Sequence, residues 1–309
     1  MATPDDPSPE SGEHSPLVRI RSLLPGLARA EQRVARIVLA DPSSIAHRSI
    51  TEVAEAAETS ETTVTRFCKA VGVTGYPELR IALAAETART TERDRDLGGD
   101  ISESDDLPQI VDKIGYSDAR AVEETTGQLD VHALDSLVEA VSTARRVEVY
   151  GVGASGFVAL DLQQKLHRIG LTCFAWSDTH NALTSAALLR PGDVAVGISH
   201  TGATAETVEI LREARERGAT TAAVTNFERS PITEIADLVL TTAARETTYR
   251  SGAMASRIAQ LTVIDCLFVG VAQRHLTEAR HALQTTFRAV GGHRLRVRPD
   301  RRRQREEHR

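Results

Sequence analysis

Two periodicities divide the chain. From Leu17 to about Thr91 apolar residues recur at helical spacing throughout. In Ala30–Ala40, Val34, Ile37, Val38 and Leu39 lie near one stripe, and the pattern stops at Asp41-Pro42. Ser49-Ile50-Thr51-Glu52 is a Ser-x-x-Glu capping box opening a short helix through Ala57. A turn at Glu58-Thr59-Ser60 follows, then a second short helix over Glu61–Val71 stopped by Gly72, and a third from Tyr76 to about Ala88. Beyond Arg146 the pattern alternates. Short apolar runs over 147–150, 171–176, 193–198, 220–225 and 237–241 predict strands, with helical patterns over 156–169, 180–189, 204–217 and 231–236 between them and a last helix over 254–275. Strands separated by helices imply parallel βαβ units, so an all-α N-terminal domain is expected to precede an α/β domain with a doubly wound parallel sheet.

The joints are compositional. Residues 1–16 hold four prolines and read as a disordered tail. The first domain spans 17–92. Residues 93–106 (RDRDLGGDISESDD) are charged, contain glycine and lack periodicity, as a linker does. Amphipathic patterns over 107–128 and 131–144 open the second domain, 107–290, and an arginine-rich tail covers 291–309.

With 41% hydrophobic and 26% charged residues, the 309-residue chain has the composition of a globular protein, and its 4% aromatic content leaves the core to Ala, Val, Leu and Ile. A formal net charge of −6 confines any nucleic-acid surface to a local patch. Cys68, Cys173 and Cys266 have no paired spacing and read as reduced thiols in apolar segments, so neither disulfide nor metal site is expected. The N-terminal stretch is polar and acidic, unlike a signal peptide, and the apolar candidate Ile258–Ala272 is interrupted by Gln260 and Asp265 and too short to span a bilayer. A cytoplasmic location without membrane contact is expected.

Thr51–Ala57, the turn and Glu61–Val71 have the dimensions of a helix-turn-helix, whose second helix enters the major groove. On it Ser60 is a candidate N-cap, Thr62, Thr63, Thr65, Arg66 and Lys69 offer short or basic groups to double-stranded DNA, and Val64, Phe67 and Cys68 face inward. A bidentate Arg66–guanine contact would supply about 1–3 kcal/mol of discrimination. Periodicity alone equally allows the exposed face of a plain helical bundle. The stretch TEVAEAAETSETTVTRFCKAVGVTGYPELR resembles the N-terminal domain of the RpiR family of bacterial transcription regulators, through Ser60, Thr63, Val64, Arg66, Phe67, Cys68, Lys69, Gly72, Gly75, Tyr76, Glu78 and Leu79. That resemblance implies a DNA-binding head.

Two strands end in glycine- and hydroxyl-rich loops that open helices: VEVYGVGASG at 147–156 and DVAVGISHTGAT at 193–204. Backbone N–H groups at two helix N-termini suit an anion, most simply a phosphate ester. Alone, Gly151-Val-Gly153-Ala-Ser155-Gly156 also satisfies the dinucleotide fingerprint, with Asp178 near where a ribose-binding acid would sit. Together the loops resemble the sugar isomerase (SIS) domain, whose second loop reads Ser-x-Ser-Gly-x-Thr; here Thr201 replaces the second serine, and Ala203 the commoner glutamate. The resemblance continues through Gln164-Lys165-Leu166, Asp178, His180, Ser230-Pro231, Asp237 and Ser256–Leu261. It implies that Gly153, Ser155, Ser199, Thr201, Gly202 and Thr204 hold a sugar phosphate, with Glu246 approaching the sugar and no catalytic residue. Asp178 and His180 equally suit orienting a loop, and His200 sits between two hydroxyl residues.

The expected protein is therefore a DNA-binding regulator, not an enzyme, without cofactor or metal, whose operator binding answers to a sugar phosphate and which forms a homodimer or homotetramer. Two other readings use the same loops. One is a sugar-phosphate isomerase or lyase with Glu246 or His180 as base, for which a fused DNA-reading head has no use. The other is a dinucleotide-sensing repressor.

Overall fold

The computed structural model describes residues 15–89, 97, 99–246 and 256–291. Its N-terminal part is helical: α1 (Pro16–Leu23), a 3-10 turn (Leu24–Gly26), α2 (Arg29–Ala40), α3 (Pro42–Ile45), α4 (Ile50–Ala56), α5 (Glu61–Ala70) and α6 (Tyr76–Arg89). Local chemistry fixes the starts. The Val18 N–H donates to Ser15 Oγ (3.3 Å) and the Ser44 N–H to Asp41 Oδ1 (3.0 Å). The capping box at α4 closes both ways, Glu52 N–H to Ser49 Oγ (3.3 Å) and Ser49 N–H to Glu52 Oε2 (2.7 Å), each such cap stabilising by about 1 kcal/mol. Ser15 and Pro16, expected in the leading tail, instead cap and open α1. The remainder of that tail (1–14), residues 93–96 and 98 of the expected linker, and 292–309 of the basic tail lie outside the described residues.

The helices enclose one apolar cluster in which Ile20, Val34, Val38, Val53, Val64, Phe67 and Leu79 are fully buried. Glu58, at the turn between α4 and α5, has φ +48°, the one positive φ outside glycine among the described residues. Arg33 of α2 pins that turn, its Nε donating to the Ala57 carbonyl and its guanidinium NH2 to that of Glu58, both at 2.9 Å.

The second part runs α7 (Leu107–Gln128), α8 (Val131–Thr143), β1 (Val147–Gly151), α9 (Ala154–Arg168), β2 (Cys173–Trp176), α10 (Thr179–Ala186), β3 (Val194–Ile198), α11 (Ala205–Glu216), β4 (Thr220–Thr225), β5 (Leu238–Thr241), α12 (Ser256–Arg274) and α13 (Leu276–Gly291). The five strands are parallel in the order β2-β1-β3-β4-β5. Helices cover both faces, which is why these strands read as apolar runs rather than alternating ones. Val149, Val196 and Val224 pack with Leu137, Leu162 and Val263 on one face, while Tyr150, Ala195 and Ala223 pack with Ala182, Leu211 and Ile232 on the other. Glu148 of β1 is fully buried, yet paired: Arg146 lies against one oxygen, Ser185 Oγ donates to it (2.6 Å), and the Tyr150 hydroxyl donates to the other (2.6 Å). Satisfied on both oxygens, the charge is tolerated there.

Two further expectations are corrected. Residues 231–236 form turns rather than a helix, because the Ile232 N–H is taken by the Gly202 carbonyl (2.9 Å) and Thr233 Oγ1 bonds back to the Ser230 and Glu228 carbonyls (2.8 and 3.0 Å). Gly291 ends α13, a helix the periodicity did not single out, rather than beginning the tail.

Candidate functional site

In an open parallel sheet, ligands sit at the carboxyl ends of the strands where the chain switches direction across the sheet. Here β1 and β3 are neighbours in parallel register, Gly151 opposite Ile198, but β1 leads out to β2 and β3 leads the other way to β4. The two loops singled out in sequence, 152–153 and 199–204, therefore leave the sheet side by side, and each feeds a helix, α9 and α11.

Both helices begin without a side-chain cap. Gly153 occupies the N-cap of α9 and Thr204 that of α11, and neither start has a side-chain hydrogen bond. Elsewhere Ser60, Asp106, Asp130 and Asp178 cap α5, α7, α8 and α10 with their own oxygens. Thr204 has the chemistry to cap, but its Oγ1 pairs with Ser199 Oγ (2.9 Å), which also accepts the Gly202 N–H (3.1 Å). The Gly156 N–H of α9 turns back to the Gly153 carbonyl (3.0 Å), and the other first-turn N–H groups of the two helices, without a side-chain cap, are open to an external acceptor at one crevice, with the helix dipoles favouring negative charge.

The loop geometry needs glycine at two places. Gly153 (φ +60°) has open space around it, so its requirement is conformational. Gly202 (φ +62°) has both kinds of constraint, since a Cβ there would lie 2.1 Å from Ser230 Oγ. Ser155 is buried with its hydroxyl 3.5 Å from the side-chain amide of Gln260 on α12. Thr201 is exposed, its Oγ1 accepting the Ala203 N–H (3.2 Å). Glu246 follows β5 and accepts the Ser256 N–H that opens α12 (3.0 Å).

His200 lies deeper than the sequence indicated. It is 9% exposed, meets the Phe227 ring edge-on at 5.6 Å, and its Nδ1 is buried without a hydrogen-bond partner among the described residues. Burial lowers its pKa, with the Glu246 carboxylate pulling the other way, so the neutral imidazole is favoured. Asn226 is a residue that sequence reading missed. Its N–H donates to the His200 carbonyl (3.0 Å), and its Oδ1 accepts from the Ala244 N–H (2.8 Å) and Thr242 Oγ1 (3.1 Å). An amide at the end of an apolar strand, TTAAVTN, was the available signal. Asp178 and His180 start α10, where Asp178 caps the helix through the Asn181 N–H (2.9 Å).

In the helical part, Ser60 caps α5 by accepting the Thr63 N–H (3.3 Å). Thr62, Arg66 and Lys69 are exposed along one side of the helix. Among the described residues Arg66 makes only a loose surface pair with Glu31 (3.4 Å), a contact worth at most about 1 kcal/mol. Thr65 bonds back to the Glu61 carbonyl (3.0 Å). Thr63 departs from the expected reading face. One helical turn before Phe67, it is turned to the core, buried, and its hydroxyl pairs with Ser60 Oγ (3.1 Å).

Residues 15–90 match the helix-turn-helix domain of the rpiR family, and residues 140–270 match the SIS domain. An uncharacterised helix-turn-helix-type transcriptional regulator of Caldanaerobacter subterraneus is 41% identical over 270 residues, covering 87% of this chain and 95% of that protein. Among solved structures, NanR of Vibrio vulnificus complexed with ManNAc-6P superimposes with a TM-score of 0.58 at 28% identity, over 91% of this chain and 100% of that one. The sugar isomerase domain of an RpiR transcription factor from Sphaerobacter thermophilus gives a TM-score of 0.54 at 30% identity, over 58% and 99% of the two chains. Among the described residues no helix is long and apolar enough to cross a membrane.

Proposed function

The chain belongs to the rpiR family of helix-turn-helix transcriptional regulators, with an SIS domain behind its DNA-reading head, and from that premise we propose that a sugar phosphate held between loops 152–153 and 199–204 controls its grip on an operator. The observation that carries this reading is the pair of uncapped helix N-termini facing one crevice at the sheet's switch point. The phosphate takes N–H groups from the first turns of α9 and α11, with Gly153 and Gly202 giving the backbone its close approach. Ser155, Ser199, Thr201 and Thr204 supply hydroxyls, and Glu246 accepts from the sugar. The ManNAc-6P bound to NanR supports a phosphorylated amino sugar as the ligand class.

DNA binding falls to residues 17–92, joined through 93–106 to the effector domain at 107–290. Ser60 and Thr63 set the start of α5, and Thr62, Thr65, Arg66 and Lys69 meet DNA. The working form is a homodimer or homotetramer reading a two-fold operator. The effector acts by binding the DNA-competent and DNA-incompetent arrangements unequally, a coupling of about 1–3 kcal/mol. The protein binds its sugar phosphate without turning it over, since a head that reads DNA has no part in isomerising one.

Melting of the purified protein against a panel of sugar phosphates and NAD(H) tests the reading. One sugar phosphate at 100 times its Kd adds about 2.7 kcal/mol of stability. That shift is expected to vanish in Ser155→Ala/Ser199→Ala, and the same compound is expected to change operator affinity. A shift from NAD(H) alone, or turnover of the sugar phosphate, overturns the proposal.

A further inference from the structure

We propose that residues 226–230, the turn after β4, form a strut between the second anion loop and the DNA-reading head, and that Arg21 of α1 and Glu124 of α7 clasp the head against it. This rests on the sugar-phosphate reading above, since it assigns the route by which that site is felt at α1.

At its inner end the strut is fastened to the loop at several points. The His200 carbonyl accepts from the Asn226 N–H (3.0 Å) and Thr225 Oγ1 (3.2 Å), and the His200 ring rests on Phe227. Ser230 abuts Gly202 so closely that no Cβ fits between them, and the Gly202 carbonyl takes the Ile232 N–H. A displacement of the 199–204 loop therefore moves 226–230 with it. At its outer end the strut meets the head. Ser22 Oγ of α1, whose proton goes to the Arg19 carbonyl (3.0 Å), lies 3.4 Å from Glu228 Oε1, and Gly26 of the 3-10 turn lies on the Arg229 stem, where an added Cβ would be 2.6 Å from Arg229 Cβ.

A second line converges on the same helix. Asn226 holds Thr242 and Ala244, and the intervening Ala243 N–H donates to Thr125 Oγ1 of α7 (3.0 Å). Next to Thr125, Glu124 Oε2 accepts from Arg21 NH1 (2.8 Å), the two side chains being 9% and 17% exposed, while Oε1 accepts from Arg120 (3.2 Å). Burial brings the Arg21 guanidinium down to about 10, and the like charge of Arg245 adds to the fall while Glu124 opposes it. The clasp is thus a buried charge bonded to the Glu124 carboxylate, with the Glu86 carboxylate and the Arg245 cation acting on it from nearby, and sensitive to small shifts of loop 242–246. The head docks through α1 and the 3-10 turn, and Arg66 and Lys69 of α5 stay exposed. The strut therefore sets the orientation of the reading helix without covering it.

Hydrogen–deuterium exchange of residues 16–27 in the full-length protein is the readout, with β1 and β3 as internal reference. Glu124→Gln is expected to speed exchange of 16–27 by about tenfold and Ser22→Ala by about threefold, with the sheet unchanged. Ser22→Ala keeps the test open if the buried Glu124→Gln fails to fold. On the loop side, His200→Ala is expected to speed exchange at 16–27 as well, though the His200 ring contact is with Phe227 and its hydrogen bonds with Thr225 and Asn226 rather than with α1. No change at 16–27 in the clasp variants overturns the docking. A response to them but none to His200→Ala overturns the strut. Failure of the sugar-phosphate reading would show separately, as the absence of any ligand-induced melting shift with these exchange results intact.

Discussion

Replacing Gly202 by alanine separates strain from collision, because the fold supplies a matched control. Gly192 (φ +88°) also sits in the left-handed region, but a Cβ there meets nothing within 4 Å. An L-residue in that conformation costs about 1–2 kcal/mol, which is the whole expectation for Gly192→Ala. At Gly202 the new Cβ would lie 2.1 Å from Ser230 Oγ and 2.6 Å from its Cβ. Ser230 must move, breaking its hydroxyl bond to the Phe227 carbonyl (2.9 Å), a further loss of about 1 kcal/mol before any backbone adjustment. A total near 3 kcal/mol follows, and at about 2–4 °C per kcal/mol for a unit of this size the two melting temperatures separate clearly. Differential scanning calorimetry of both variants, with and without the stabilising sugar phosphate, should show the larger drop and the loss of the ligand shift in Gly202→Ala only. Equal drops with ligand shifts retained in both would refute the reasoning that Ser230 holds this loop in a rigid shape.

Other outcomes follow from single residues. Glu58→Gly relieves the positive φ between α4 and α5 and should raise stability by about 0.5–1 kcal/mol in urea melts, provided Arg33 keeps its two carbonyl bonds. The lowered pKa of His200 makes the unfolded chain bind more protons below about 6.5. Its contribution is therefore fully present above that pH and is lost as pH falls through the folded-state value. The acid limb of a melting-temperature profile should accordingly be shallower in His200→Gln. On DNA selected from a random pool, Arg66→Ala should cost about 1–3 kcal/mol and relax preference at one base position, whereas Lys69→Ala should weaken all sequences alike and reduce the salt slope by about one. Fluorescence anisotropy across a salt series distinguishes the two.

The parts legible in sequence are those where local chemistry and global fold agree. Ser49 and Glu52 announce α4 because both halves of the box lie within one turn, and β1 and β3 announce the crevice because glycine and hydroxyls follow an apolar run. What stayed hidden depends on contacts between distant segments. Thr63 reads as an exposed hydroxyl until Ser60 and the core claim it. Residues 231–236 carry a helical pattern that the Gly202 carbonyl overrides. Arg33 and Asn226 act through backbone groups far along the chain, which leave no mark on local periodicity. The charge in VEVY is tolerated only because Arg146, Tyr150 and Ser185 converge on it.

The head meets the rest of the chain through α1 and the 3-10 turn after it, and leaves the outer side of α5 exposed, so a single small domain has two separate surfaces. If Thr62, Arg66 and Lys69 read DNA as proposed, substitutions at these exposed positions would change the sequence read without disturbing positions 21, 22 and 26. On the proposed function, such a layout would let a lineage duplicate one sensor and redirect its copies to different genes by drift over a handful of exposed sites. The same reading would offer that economy to anyone building gene circuits: graft the face of α5, leave α1 in place, and the proposed sensor would keep its wiring while its address changes.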